Sequence, residues 1–330
     1  MTVDCAIIGG GPAGLNAALV LGRARRKVLL FDDNKPRNAV TQHSHGYITR
    51  DGVTPAEFRA IGLREIAKYP SVEVLPTRIQ AVNRQGHEQG AEETAFELVA
   101  ADGEKFRAAN VILAAGLRET LPAVEGIYTY YGKSLFNCPY CDGWELRDKP
   151  LVIIAESEKA ASHLPKVIYN WSHDIVVCTN GHRVLSDERK LLLGKYGIRV
   201  IEDKIVALMG QAEHAEHAEH AEHAEHAEHA EHAGQLERIT FENHPDLERA
   251  GGFVEIQRKQ ATTIGQDLGC EIDEAGSIVT DELGRTNIKG VYAAGDAVSI
   301  MQNQLIWAAA SGSRAAIGVN TDLTASFFDQ

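Results

Sequence analysis

Six consecutive residues near the start, Gly9-Gly10-Gly11-Pro12-Ala13-Gly14, constrain this chain more than any other stretch. They lie between the short apolar run VDCAII and the helical pattern LNAALVLGRAR, and a second apolar run, KVLLFDD, follows and ends near Asp32. The opening is therefore strand, glycine turn, helix, strand, and an α/β fold is expected. Gly9 permits a tight turn, Gly11 lets backbone approach a pyrophosphate, and Gly14 lets the helix close on the strand. Asp32 stands where an acid can accept from a ribose hydroxyl. A GxGxxG pattern alone is weak evidence, but here the strand, the helix and the acid all accompany it.

A second strand–helix unit begins at LVIIAESEKAASH, residues 151 to 163, with DIVVC as its next strand. It contains no glycine. Laid over the first unit, the three glycine positions fall on Ala155, Ser157 and Ala160, and Glu156 and Glu158 add negative charge where phosphates would lie. Like charges 4 Å apart repel by about 1 kcal/mol in water and about 4 kcal/mol at an effective dielectric of 20. After DIVVC, the stretch TNGHR offers one arginine and no basic cluster for a 2′-phosphate.

Cysteine usage locates the chemistry. The chain has five cysteines, too few and too scattered for a disulfide-stapled secreted fold. Cys5 and Cys178 lie in apolar runs and read as small core residues. Only Cys138 and Cys141 are close together, in Cys138-Pro139-Tyr140-Cys141-Asp142. Two cysteines at this spacing, the first leading into a helix, can form a strained small-ring disulfide whose thiolates a helix N-terminus favours. Asp142, next to the second cysteine, can shuttle a proton. Half of a zinc site is the alternative, and it lacks a second ligand pair, so no metal is expected.

Between KIVALMG and LERITFE the triplet AEH repeats seven times, residues 212 to 232. A period of three precesses around an α-helix and leaves no apolar stripe, so the tract reads as a solvated insert that lengthens a surface hairpin. It also carries seven of the glutamates behind the formal charge of −13. That acidic balance argues against nucleic acid as a partner. No apolar run reaches the roughly 18 residues that cross a bilayer. A cytoplasmic protein with no membrane partner is expected.

Taken together, the layout resembles the low-molecular-weight thioredoxin reductases and their flavin-dependent relatives. The motifs that carry the resemblance are GGGPAG near the N-terminus, AAG at 114 to 116, CPYCDG at 138 to 143 and AAGDA at 293 to 297, in family order along nearly the whole chain. The resemblance implies two Rossmann-like domains, the second inserted into the first. An FAD domain would comprise residues 1–117 and 251–330, and a nucleotide-type domain carrying the CxxC would comprise 118–250. It further implies Cys138 and Cys141 as the redox pair and Asp142 as proton donor. For FAD it implies contacts from Gly9, Gly11, Pro12, Ala13, Gly14, Asp32, Ala115, Gly116, Gly295, Asp296 and Gln304, the last at a helix N-terminus near the flavin ring. In RNAVTQHSHGYITRDG, residues 37 to 52, the family has a loop that lines the flavin, which makes His45 a candidate there and His43 an ordinary loop residue.

The departure from the family lies in the second unit, where NADPH-dependent members carry a glycine loop and a basic pair. The expected activity is exchange of two electrons between FAD and the Cys138–Cys141 pair, reducing a thioredoxin-like protein in a homodimeric enzyme without the usual NADPH site. Ferredoxin is one candidate donor, met by a basic patch at Arg23, Arg25, Arg26 and Lys27. The alternatives are a dithiol oxidase that passes electrons from a small dithiol through FAD to O₂, and a non-catalytic redox-sensing flavoprotein.

Overall fold

The computed structural model describes residues 2–85, 95–211, 234–300 and 303–329. The chain divides into two compact units, one of residues 1–39, 46–119 and 258–330, the other of residues 40–45 and 120–257.

The first unit opens as its sequence pattern predicts. Strand β1 (Thr2–Ile8) runs into helix α1 (Pro12–Arg23) and strand β2 (Val28–Phe31), and β1 and β2 pair in parallel with Ile7 opposite Leu30. Pro12 is the first residue of α1, a position where its missing N–H is not needed and its fixed φ suits the helix. Helix α2 (Pro55–Ile66) and strand β3 (Val72–Leu75) follow. Next come strands β4 (Ile79–Gln85), β5 (Ala95–Ala100) and β6 (Lys105–Leu113). The sheet order is β3-β2-β1-β6-β5-β4, parallel in its first half and antiparallel at β4 and β5. All four residues of β2 and the last four of β1 are buried, which is the pattern of parallel strands covered on both faces.

The chain leaves this unit on β7 (Leu117–Thr120) and builds the second. There, β8 (Leu135–Phe136), β9 (Leu151–Ile154), β10 (Ile175–Cys178) and β11 (Arg199–Ile201) alternate with helices α3 (Glu158–Ile168) and α4 (Asp187–Gly194). Strands β12 (Ile205–Gln211) and β13 (Gln235–Phe241) form the expected antiparallel pair, and β14 (Leu247–Glu248) extends it. The AEH tract that joins β12 to β13 lies outside the described residues. Strand β15 (Gly251–Val254) completes a parallel sheet of order β11-β10-β9-β15-β8. The chain returns on β16 (Gln257–Gln260), which pairs with β7. Strand β17 (Val291–Ala293) then joins β6, and the 24-residue helix α5 (Leu305–Phe328) packs on α1.

The two units divide between Glu119 and Thr120 and between Gln257 and Arg258. Strand β15 contains Gly251 and Gly252 and pairs with β9, and a Cβ on Gly252 would lie against the Val152 carbonyl oxygen. Glycine marks a close approach inside a strand here, not a linker. Strand β17 ends at Ala293, and Gly295 takes φ +70° and opens a 3₁₀ turn over Gly295–Val298.

Candidate functional site

In the first unit, the turn between β1 and α1 forms a cradle. Gly9 adopts φ +114°, and a Cβ on it would fall 2.2 Å from the Ala114 carbonyl oxygen. A Cβ on Gly14 would meet the Gly9 carbonyl at 1.8 Å, so both positions exclude any side chain. Gly11 differs: it is the N-cap of α1, no side chain caps the helix, and a Cβ there would meet nothing within 4 Å. The start of this 12-residue helix thus has no side-chain cap and open space beside its N-cap, features that suit a phosphate. Pro12 and Ala13 continue this turn, and Ala13 packs under Gly295, whose Cβ position lies 2.8 Å from the Ala13 Cβ. Ala115 and Gly116 follow β6, and the space beside Gly116 is also open.

The expected acid, Asp32, is buried and stands against Gly10. Its Oδ1 accepts from the Asn34 N–H at 3.0 Å, and its Oδ2 accepts from Arg59 Nε at 2.8 Å and from Arg59 Nη2. A carboxylate offers about four acceptor positions, so a hydroxyl can still be added. Asp296 accepts from Arg37 Nε at 3.2 Å, and Arg37 Nη1 donates to Glu119 at 2.5 Å. Burial alone would lower the Arg37 pKa, but Asp296 and Glu119 outweigh it and hold the guanidinium firmly charged. Gln304 is the N-cap of α5 and makes no side-chain cap. These open and polar positions fit a dinucleotide such as FAD.

The second unit has the same plan with its anion position filled from within. Ser157 caps α3 by accepting from the Ala160 N–H at 3.2 Å. Glu255, just past β15, accepts from the backbone N–H groups of Glu156 and Ser157 at 2.8 and 2.9 Å through Oε2, and from the Ser157 hydroxyl at 2.5 Å through Oε1. The two carboxylates read from sequence as adding charge at this turn are engaged by other side chains. Glu156 accepts from Asn180 Nδ2 at 2.7 Å, and Glu158 pairs with Arg189 of α4 at 2.9 Å. The carboxylate on the amides of this turn is that of Glu255.

Cys138 and Cys141 form a disulfide with Cα atoms 5.3 Å apart. Cys138 caps the turn Pro139–Asp142, and its carbonyl accepts from the N–H groups of Cys141 and Asp142 at 3.1 and 3.2 Å. The helix expected after Cys138 is this single turn. Because a macrodipole sums over aligned peptides, one turn stabilises a thiolate less than a full helix would. Asp142 compensates chemically. Burial and the neighbouring Glu145 push its carboxyl up to about 7, against a smaller opposing pull from His45. His45 Nε2 lies 3.7 Å from Glu145 Oε1, so the structure places His45 in the second unit with Asp142 and Glu145. Around the disulfide, Tyr140 and Trp144 are 69% and 64% exposed, Tyr140 meets Trp171 edge-on, and Arg147 lies 4.1 Å over the Trp144 ring.

Several residues lie outside these sites. Cys5 and Cys178 are fully buried free thiols, and burial pushes Cys178 up to about 12. In the basic patch, Arg26 donates to Asn320 and Thr324 and Arg23 to Tyr69, so two of its four cations serve local contacts. Sequence reasoning missed Arg37, Arg59, Glu145 and Glu255. Glu145 lay within reach of inspection, four residues after Cys141, whereas the partners of the other three are separated from them by 27 to 259 positions. Among the described residues no helix is long and apolar enough to cross a membrane.

The profile of the pyridine nucleotide-disulphide oxidoreductase family matches residues 3–161 and 222–312. A protein of Arthroderma benhamiae assigned as a thioredoxin reductase is 30% identical over 97% of this chain and 80% of its own length. The thioredoxin reductase of Helicobacter pylori is 26% identical over 96% of this chain and 97% of its own. Among solved structures, a Bacillus anthracis protein assigned as a thioredoxin reductase, TrxB, superposes with a TM-score of 0.87 at 42% identity, covering 98% of this chain and 99% of its own.

Proposed function

The chain belongs to the pyridine nucleotide-disulphide oxidoreductase family, as a thioredoxin reductase-like flavin enzyme acting on sulfur, and from that premise we propose its specific reaction. The cofactor is FAD, the acceptor is the disulfide of a thioredoxin-like protein, and the electron donor is not NADPH. The observation that carries this reading is the Cys138–Cys141 disulfide beside a carboxyl whose pKa is raised to about 7. A group that is half protonated near neutral pH can both give and take a proton at the working pH.

Bound FAD supplies a two-electron carrier that exchanges with a disulfide. For its part, the chain offers the open α1 N-terminus to the pyrophosphate, Asp32 to the ribose and the Gly295-Asp296 turn to the phosphate and ribityl region. Once the pair is reduced, one thiolate attacks the partner disulfide and forms a mixed disulfide, and the second thiol closes back on the first sulfur. The products are the partner dithiol and the restored Cys138–Cys141 bond. Asp142 carries the proton that the leaving thiolate needs. Exposed Tyr140 and Trp144 give a protein partner the aromatic surface that interfaces favour. The names of the relatives support a thioredoxin-like partner. Against NADPH stand the side chains at Ala155, Ser157 and Ala160, where a glycine loop is required.

The test is anaerobic flavin absorbance during addition of NADPH, NADH, reduced ferredoxin, and then reduced thioredoxin or a small dithiol. Bleaching by dithiols and by ferredoxin, with none by NADPH, is the expected result. Bleaching by NADPH at a catalytic rate overturns the donor assignment, and bleaching by dithiols followed by fast reoxidation in O₂ moves the enzyme to the dithiol oxidases.

A further inference from the structure

In a doubly wound sheet, ligands bind at the carboxyl ends of the strands where the strand order reverses. In the second unit β10 and β11 lie to one side of β9, and β15 and β8 to the other. The reversal is therefore between β9 and β15, and Glu255 follows the last residue of β15 at that point. Its own N–H donates to the Ile154 carbonyl at 2.8 Å, which fixes the backbone from which the carboxylate reaches the start of α3.

There the carboxylate takes two adjacent backbone N–H groups and one hydroxyl, a set of donors suited to a phosphate oxygen pair. A second bridge closes the same rim. Asn180, after β10, donates to Glu156 at 2.7 Å and accepts from the Ile205 N–H at 3.1 Å. The position after β10 is where a dinucleotide fold uses a side chain to recognise the adenosine ribose. Both contact points of a dinucleotide are thus consumed by the protein itself.

We propose that Glu255 is a specificity-determining residue that excludes nicotinamide dinucleotides, its carboxylate standing where their pyrophosphate would sit. The inference rests on the donor assignment above and deepens it. The turn has no glycines, and in addition it holds an internal anion on the two amides that lead into the helix. Because Glu156 and Glu158 are engaged by Asn180 and Arg189, removing Glu255 leaves donors with no anion directly upon them.

The experiment uses FAD-saturated full-length protein, so that the phosphate position of the first unit is filled, and inorganic pyrophosphate as the probe at constant ionic strength. Melting temperature is followed for wild type, Glu255→Ala and Glu255→Gln. Wild type is expected to show no shift. At tenfold excess over its dissociation constant, pyrophosphate is expected to raise the melting temperature of Glu255→Ala by about 3 °C, with a smaller rise for Glu255→Gln. An equal rise in wild type overturns the inference, because the carboxylate is then no barrier. Absence of any rise in both variants, with flavin content unchanged, overturns it too, because the missing glycines alone then close the turn. If Glu255→Ala fails to fold, the isosteric Glu255→Gln carries the same comparison. The donor assignment is read separately from bleaching of wild-type flavin by NADPH, so either idea can fail without the other.

Discussion

Helices α1 and α3 each follow a buried parallel strand and each begin at a position suited to an anion, yet their N-termini are finished differently. At α1 the cap is Gly11, with no side chain over the first N–H groups and open space beside it. At α3 the cap is Ser157, and the carboxylate of Glu255 accepts from the N–H groups of Ser157 and of Glu156 just before it. The orphan donors of a helix start must be satisfied by something. At α1 no side chain takes them, and at the turn into α3 the Ser157 hydroxyl takes the Ala160 N–H while Glu255 takes the N–H groups of Glu156 and Ser157. The same fold element can therefore serve as a cofactor site or as scaffold, and the choice rests on a handful of side chains.

Exchanging the two finishes is the strongest test. Gly11 has φ −72° and ψ −177°, extended backbone open to any residue, and its Cβ position is clear, so Gly11→Asp is expected to fold. An aspartate there caps α1 and sets a negative charge where a pyrophosphate belongs. Flavin content after purification is expected to fall about 100-fold, while the melting temperature of the apoprotein holds or rises slightly, since aspartate and glycine differ as caps by only a few tenths of a kcal/mol. Full flavin content in Gly11→Asp breaks the comparison at its first term.

The disulfide comes next in expected effect. Cys138→Ser or Cys141→Ser removes the exchanging pair and is expected to abolish disulfide reduction while flavin content stays at the wild-type level. Retained turnover in both variants places the chemistry elsewhere. Asp142→Asn is expected to lower turnover about 100-fold, the range that general acid–base groups contribute. It should also remove the limb of the pH–rate profile near 7, because the carboxyl is then no longer there to titrate. Its stability effect has a definite sign. The folded pKa, about 7, lies above the ordinary value of 3.8, so the folded state holds this proton more tightly than the unfolded chain. Stability from this group is present at low pH and is lost as pH rises from about 4 through 7. Above pH 7, Asp142→Asn is therefore expected to be more stable than wild type by roughly 2–4 kcal/mol, measured by urea unfolding across the pH range. A flat pH dependence in both proteins removes the raised carboxyl from the account.

What could be read from sequence, and what could not, follows the same division. The strand–turn–helix of α1 was legible because glycines, apolar runs and Asp32 lie within one local stretch, and periodicity reports local structure. The redox pair was legible because both cysteines and their acid share one turn. The absence of glycines from LVIIAESEKAASH was legible for the same reason. Its completion was not, since Glu255 lies 99 residues from Glu156 and 98 from Ser157. From sequence, the nearer Glu156 and Glu158 took the role of guarding charges, and only the fold shows that they are turned to Asn180 and Arg189. Arg37 illustrates the point in the first unit, because its partner Asp296 is 259 positions away. Gly251 and Gly252 carry the composition of a linker while forming a strand, a use of glycine that only pairing across the sheet reveals.

The smallest effect tests the plugged helix alone. Ser157 both accepts from the Ala160 N–H and donates to Glu255, so it joins the cap to the internal anion. Ser157→Ala leaves the two backbone contacts of Glu255 in place and removes the hydroxyl from between them. The loss of an N-cap side chain costs about 1 kcal/mol, and the second unit is expected to unfold earlier in urea by that amount. Flavin content and turnover with a dithiol should be unchanged, because neither depends on the start of α3 if that helix is scaffold. A drop in turnover with unchanged stability would mean instead that the closed turn takes part in the reaction, and the contrast between α1 and α3 would then be one of two working sites.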